Sequence, residues 1–427
     1  MKIVHLNKND LSGGAARAAS RLHQGLRRAG HDSVMLVESR TSDDPSVVAF
    51  AKPMDGPSLV RRSIRQEWIG RAFKGYRGSR PAGYELFSDD RSSYASTLLH
   101  QIPASQIVNL HWIPGFVDYR AFFTRVPRSR PTVWTLHDLN AVTGGCHYDF
   151  GCDRYVAACG ACPQLGSADP GDLSHDIWER KRRVFSDVPA SRLHIVAPSR
   201  WLANEARRSP LLGRFQVDVI PYGLDLEEFA PRDRGKVRDL LGIPASARVL
   251  LFVAEAVGNK RKGFAQLIEA LGQCAAKVPN LLLLSLGKSK PDVQAAVPWI
   301  HVGSADNDRF LSMVYSAADL FAICSLQDNL PNTVLEAMAC GIPVVGFRVG
   351  GIPDMVRHGE NGLVVPANDV RALADAIADV LNDRDRCAAM GARARQIAVE
   401  EYPLELQSRR YSELYARLVA NGGHQQA

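Results

Sequence analysis

Short apolar runs alternate along this chain with longer stretches in which apolar residues recur every three or four positions. The first pattern suits strands buried on both faces, the second amphipathic helices. In the first half, Lys2–Leu6, Ser33–Val37, Ile107–Leu110, Thr132–Leu136, Leu193–Ala197 and Val217–Ile220 predict strands. Helices are predicted over Gly14–Ala29, Ala95–His100, Tyr119–Arg125, Ile177–Phe185 and Ser199–Arg208. The second half follows the same scheme. Its strands are predicted at Arg248–Val253, Leu281–Leu286, Trp299–Val302, Leu320–Ile323, Pro343–Phe347 and Leu363–Val365. Its helices are predicted at Phe264–Ala275, Arg309–Ala317, Asn332–Ala339, Ile352–His358, Val370–Leu381 and Arg384–Val399. Such alternation builds doubly wound parallel sheets, so the fold class is α/β.

A chain of 427 residues exceeds one ordinary core. The pattern breaks at Val219-Ile-Pro-Tyr-Gly-Leu-Asp225, where proline and glycine interrupt a strand. We therefore expect one Rossmann-like domain over 1–221 and a second over 222–400. A last helical pattern, Tyr402–Val419, lies in a closing segment, 401–427. Open parallel sheets bind ligands beyond the carboxyl ends of their strands. Two such domains facing each other are expected to share a cleft.

The composition, 46% hydrophobic and 23% charged, fits a globular protein without bilayer-spanning runs. The first residues, Met1-Lys-Ile-Val-His-Leu-Asn7, read as a strand and not as a secretory leader, so a cytoplasmic protein is expected. The net charge is +7. Part of it lies in 61–80, where Arg61, Arg62, Arg65, Arg71, Lys74 and Arg77 interleave with Ile64, Trp68 and Phe73. That mixture suits either a helix on the inner membrane surface or a solvated arm. No nucleic-acid-binding motif is present, and none of these partners is expected to be nucleic acid.

The most informative stretch runs from Ser325 to Gly346. Asp328 and Glu336 bracket a polar loop, with seven residues between them. Asn332 and Thr333 stand where a helix begins, so free amide groups and the positive dipole end face the loop. That suits an anion such as a diphosphate. Glu336 is placed to accept hydrogen bonds from two adjacent hydroxyls, as on a ribose.

This segment resembles the E-x7-E signature of the retaining glycosyltransferases of family 4, which have the two-domain GT-B fold. Leu335-Glu-Ala-Met-Ala-Cys-Gly-Ile-Pro-Val-Val345 and Val349-Gly-Gly-Ile-Pro-Asp-Met-Val-Arg-His-Gly-Glu-Asn-Gly-Leu363 carry the resemblance further. One position departs: Asp328 stands where the family usually has glutamate. The resemblance implies a hexosyltransferase using a nucleotide-diphosphate sugar, UDP- or GDP-linked, and a hydroxyl of a glycan or lipid-linked glycan. It implies Glu336 on the ribose, Asp328 on the donor sugar, and Asn329, Leu330, Asn332 and Thr333 in the donor-binding loop. Gly303 belongs to the loop that would hold the base through backbone groups.

Asn259-Lys-Arg-Lys-Gly263 precedes a helix and offers cations to a leaving diphosphate. Lys262 fits the family's lysine. The family's arginine would fall at Ala256 or Val257, so Arg261 or Lys260 is expected to substitute. Gly13 and Gly14 open the first helix and let backbone amides approach a ligand. They do not make a G-x-G-x-x-G fingerprint, which disfavours a nicotinamide cofactor.

His111 and His137 each end a buried strand. By resemblance His137 touches the donor sugar or diphosphate, and His111 lies on the acceptor side. Cys146, Cys152, Cys159 and Cys162 crowd into the loop 143–165. Structural zinc, reduced packing thiols and disulfides are all compatible with that spacing. A similar cysteine run occurs in family 4 enzymes of exopolysaccharide and colanic-acid synthesis. Asp383-Arg-Asp385 has the form of a metal–diphosphate motif but falls in a turn between late helices, so no catalytic metal is expected. Two other functions share the expected donor site: a nucleotide-sugar epimerase and a non-catalytic nucleotide-sugar-binding protein.

Overall fold

The computed structural model describes residues 1–127, 130–255, 258–288, 290–305 and 307–424. The chain divides into two units, one of Met1–Pro221 with Gln407–Ala427 and one of Tyr222–Leu406.

The first unit runs β1 (Lys2–Asn9), α1 (Gly14–Arg28), β2 (Asp32–Ser39), β3 (Val47–Ala49), α2 (Gly56–Lys74), β4 (Ile107–Leu110), α3 (Tyr119–Arg125), β5 (Thr132–Thr135), α4 (Leu173–Ser186), β6 (Leu193–Ala197), α5 (Arg200–Arg208) and β7 (Gln216–Val219). Its seven strands lie in the order β3-β2-β1-β4-β5-β6-β7, and every pairing is parallel. The order reverses between β1 and β4. The predicted helix at Ala95–His100 is a short 3-10 turn, Thr97–Gln101. Three residues made β3 too brief to register as a periodic pattern.

The second unit runs α6 (Arg234–Leu240), β8 (Arg248–Val253), α7 (Phe264–Cys274), β9 (Leu281–Leu286), β10 (Trp299–His301), α8 (Asp308–Ser316), β11 (Leu320–Ile323), α9 (Asn332–Ala339), β12 (Val344–Phe347), α10 (Ile352–Met355), β13 (Gly362–Val365), α11 (Val370–Asn382) and α12 (Arg384–Glu401). Its sheet, also parallel, has the order β10-β9-β8-β11-β12-β13, reversing between β8 and β11. Asp383 caps α12 by accepting from the Arg386 N–H at 2.9 Å. Its acid is thus used structurally, in the turn before that helix.

The final helix, α13 (Leu404–His424), returns to the first sheet. Tyr411 Oη meets Thr135 Oγ1 at 2.9 Å, and Asn109 donates to Tyr415 Oη at 2.8 Å. Around these bonds α1 and α13 bury Ile3, Leu22, Ile107, Val133 and Leu414 in one apolar cluster. A buried polar layer therefore runs through this face, each hydroxyl and amide matched by a partner across the layer.

Candidate active site

Each sheet reverses its strand order once, and that is where an open α/β sheet leaves a crevice for ligand. In the second unit the crevice is framed by the loops after β8 and β11, which carry the acidic and basic residues singled out in the sequence.

The segment after β8 turns through Lys260–Lys262, with the Asn259 side chain accepting from the Arg261 N–H at 2.9 Å. Gly263 follows with φ 69°, and a Cβ there would stand 1.7 Å from the Cys324 carbonyl oxygen. Only glycine allows that approach. It presses the basic turn against the loop after β11, where the Leu326 N–H donates to the Arg261 carbonyl at 2.7 Å.

Both cations converge on Asp328. Lys262 Nζ lies 2.7 Å and Arg261 Nη1 3.0 Å from Oδ2, which also accepts from Ser325 Oγ at 3.0 Å. Oδ1 accepts from the Asn329 N–H at 3.1 Å. Burial alone would raise the Asp328 pKa, but the charges of Lys262 and Arg261 hold it well below the usual carboxylate range. Behind it, Gly350 at φ 53° lets the backbone pass where a Cβ would come 1.7 Å from the Asp328 carbonyl oxygen. The Gly351 N–H donates to that same oxygen at 3.0 Å.

Glu336 lies one turn into α9 and is buried, with Tyr315 Oη of α8 donating to Oε2 at 3.0 Å. Asn332 and Thr333 open α9, and Asn329 and Leu330 are buried just before it. Gly303 follows β10, and its carbonyl accepts from the Gly287 N–H at 2.9 Å. Asp328, Lys262 and Arg261 are thus in direct contact, while Glu336 is held from α8. Ala256 and Val257, the positions of the family's arginine, lie outside the described residues.

In the first unit, Gly13 has φ 89° and opens α1 with Gly14, on the loop after β1. His111 follows β4 and His137 follows β5, so all three groups share one sheet edge. His111 Nδ1 is 3.1 Å from His137 Nε2. Burial lowers the pKa of His137 to about 4 and holds that of His111 well below its ordinary value, so both rings are neutral near pH 7. Beside them Asp138 binds Trp112 Nε1 at 2.8 Å and His147 Nδ1 at 2.6 Å. Ser88 occupies the other nitrogen of His147 at 2.8 Å, so that ring is a structural strut and not a ligand beside Cys146.

The four clustered cysteines are free thiols that line one cavity of about 20 Å³. The disulfides open on spacing alone are therefore not formed. Glycines permit the tight packing here: a Cβ on Gly144 would stand 2.0 Å from the Ser174 carbonyl oxygen. Gly144 N–H approaches Cys159 Sγ at 3.1 Å. Among the described residues, no group of three or more His, Cys, Asp or Glu side chains is arranged to hold a metal ion as it stands.

Sequence reasoning did not single out Tyr315, Ser325 or His5. The one available signal was for His5, a histidine inside the otherwise apolar run Ile3–Leu6.

With this geometry in view, comparison with known proteins defines the class. The family model described as "Glycosyl transferases group 1" matches residues 247–383, which hold the Asp328–Lys262–Arg261 cluster and Glu336. The D-inositol 3-phosphate glycosyltransferase of Mycolicibacterium smegmatis is 32% identical over 389 residues, covering 87% of this chain and 79% of the relative. That of Nocardia farcinica is 31% identical over 303 residues, covering 66% and 60%. Sucrose-phosphate synthase from Thermosynechococcus elongatus superposes with a TM-score of 0.68 at 19% identity, covering 99% of this chain and 100% of that one. Anabaena HepE in complex with UDP and glucose gives 0.65 at 17% identity, covering 97% and 99%. The fold is GT-B. The chain belongs to the group 1 glycosyltransferases, and it is an enzyme of glycosyl transfer.

Proposed function

We propose that this glycosyltransferase moves a hexose from a nucleotide-diphosphate sugar to a hydroxyl of a glycan acceptor, with retention of anomeric configuration. The observation that carries this reading is the convergence of Lys262 and Arg261 on Asp328, at the strand-order reversal of the second sheet and directly before α9. Lys262, the more exposed cation, neutralises charge on the leaving diphosphate. The first-turn amides at Asn332 and Thr333 add donors to the same group. Asp328 holds the two cations in register and turns Oδ1, which accepts from the Asn329 N–H, toward a donor-sugar hydroxyl. Glu336, oriented by Tyr315, takes the ribose hydroxyls. Gly13, Gly14, Gly303, Asn329 and Leu330 supply backbone contacts, His137 a donor-sugar contact, and His111 belongs to the acceptor side. Anabaena HepE, of the same fold, is bound to UDP and glucose, which makes UDP the first donor base to test.

The acceptor we propose is a lipid-linked glycan of a bacterial surface polysaccharide, met at the inner face of the cytoplasmic membrane. Val60, Ile64 and Trp68 support this, forming an exposed stripe four residues apart along α2, flanked by Arg61, Arg71 and Lys74. No helix among the described residues is long and apolar enough to cross a membrane. A second acceptor reading, a phosphorylated cyclitol, is favoured by the names of the 32% and 31% identical relatives. Zinc on Cys146, Cys152, Cys159 and Cys162 completes the proposal, supported by the cavity those thiols share.

The test is a thermal-shift and turnover screen against UDP-, GDP-, ADP- and dTDP-sugars, with Glu336→Ala as control. Acceptors are a membrane extract and inositol phosphate. Stabilisation by one donor with nucleotide release, both lost in the variant, supports the reading. An epimerised nucleotide sugar formed from donor alone, without net nucleotide release, indicates an epimerase. Binding without turnover under any acceptor indicates a binding protein.

A further inference from the structure

His5 on β1, His111 beyond β4 and His137 beyond β5 stand on three neighbouring strands and form one chain of rings. His5 Nδ1 is 2.9 Å from His111 Nε2, and His111 Nδ1 is 3.1 Å from His137 Nε2. All three are buried. A neutral imidazole has one N–H and one lone pair. His111, with a ring at each nitrogen, must donate on one side and accept on the other. The whole chain therefore points one way, in one of two directions.

The far end decides between them. His5 Nε2 is buried and has no hydrogen-bond partner among the described residues. The neighbouring ring, His23, has its nitrogens engaged by Ser33 Oγ at 2.8 Å and Ser46 Oγ at 2.9 Å, so it has no lone pair to spare for His5. If protons point from His137 toward His5, a bare N–H is stranded at His5 Nε2. If they point from His5 toward His137, only a lone pair is stranded there. A stranded buried N–H is the rarer of the two in proteins. A doubly donating, charged His111 is opposed by its burial, which holds its pKa well below the ordinary value.

We propose that His5 and His111 are positioning residues that fix the tautomer of His137, giving it a proton on Nδ1 and committing its Nε2 lone pair to His111. This builds on the reading of His137 as a donor-sugar contact. Within that reading, His137 Nε2 is not available as a base, because its lone pair is already engaged by His111. His5 acts from two strands away without touching substrate.

The test is long-range proton–nitrogen NMR of the full chain labelled with 15N at histidine, with His137 assigned through His137→Gln. The expected result is a protonated Nδ1 and a bare Nε2 on His137; the reverse would overturn the proposal. His5→Leu removes the donor at the head of the chain and should turn His137 into a mixture of tautomers. His5→Asn, whose amide N–H stands near the position of Nδ1, should restore the wild-type pattern. A His137 tautomer unchanged in a folded His5→Leu chain would remove His5 from the relay. Should His5→Leu not fold, the wild-type spectrum and His5→Asn decide alone. These readouts need no substrate, so a chain with the expected tautomer that ignores every nucleotide sugar supports the relay and refutes the donor-site reading.

Discussion

Lys262 Nζ and Asp328 Oδ2 lie 2.7 Å apart, yet the two side chains are differently exposed, Lys262 by 25% and Asp328 by 8%. The lysine can lose its partner to solvent or to a ligand. The aspartate and Arg261 behind it cannot. Lys262→Ala should therefore leave the fold largely intact and lower turnover about 100-fold or more, as for other transition-state donors. Asp328→Ala takes the carboxylate away from the buried Arg261 charge and should cost about 3–5 kcal/mol of stability. Urea unfolding alongside donor turnover separates the two. Equal stability losses in both variants would contradict this ordering.

Tyr315 and Glu336 make a second test. Tyr315→Phe removes one buried hydrogen bond to Glu336 Oε2 and little volume. We expect roughly 1–3 kcal/mol lost in donor affinity or stability together. Titration of the variant with the donor found in the screen checks it, with the shortfall appearing mainly in KM.

Glycines give a contrast in sign. Gly350→Ala pushes a methyl into the Asp328 carbonyl and adopts a φ of 53°, so it should displace the acidic loop and abolish donor-induced stabilisation. Gly272→Ala, inside α7 with nothing within 4 Å of the new Cβ, should stabilise the chain by about 0.5–1 kcal/mol. Melting curves of the two single variants would show opposite shifts.

Acid should destabilise the chain through its buried histidines. Burial lowers His23 and His137 to about 4 and holds His5 and His111 well below their ordinary value, whereas each titrates near 6.5 once unfolded. Below that value the unfolded chain binds more protons than the folded one, so stability falls with pH. The loss begins near pH 6.5 and, for His23 and His137, continues to about 4. Melting temperature measured from pH 7.5 to 4.5 should drop across this window, less steeply in His23→Gln. Equal slopes in both chains would contradict the assignment.

If the proposed zinc is present, the purified chain carries one equivalent by elemental analysis, and Cys159→Ser lowers that content several-fold. A metal-free chain that melts at the same temperature with and without chelator would refute it.

The parallel strands were legible because burial on both faces leaves near-continuous apolar runs, as in Leu281–Leu286 and Val344–Phe347. The acidic loop of Asp328 and Glu336 was legible because its residues lie close in sequence. What the sequence could not disclose depends on register across the sheet. His5 meets His111 across 106 positions, and Tyr315 meets Glu336 only because α8 and α9 pack together. Nor could spacing settle the cysteines: four soft side chains in one loop fit a metal, a bridge or a packed cavity equally, and only the side-chain placement shows free thiols. Histidines and tyrosines in apolar runs look like ordinary core residues until their partners are known.

Tyr411 and Tyr415 complete the polar layer of the first sheet, yet they follow the whole of the second unit in the chain. On a ribosome, the strands bearing Asn109 and Thr135 emerge long before the phenols that satisfy them. The first unit must wait, its layer half-matched, while nearly two hundred further residues are made. Of the two units, it is the first to be synthesised and the last to be finished.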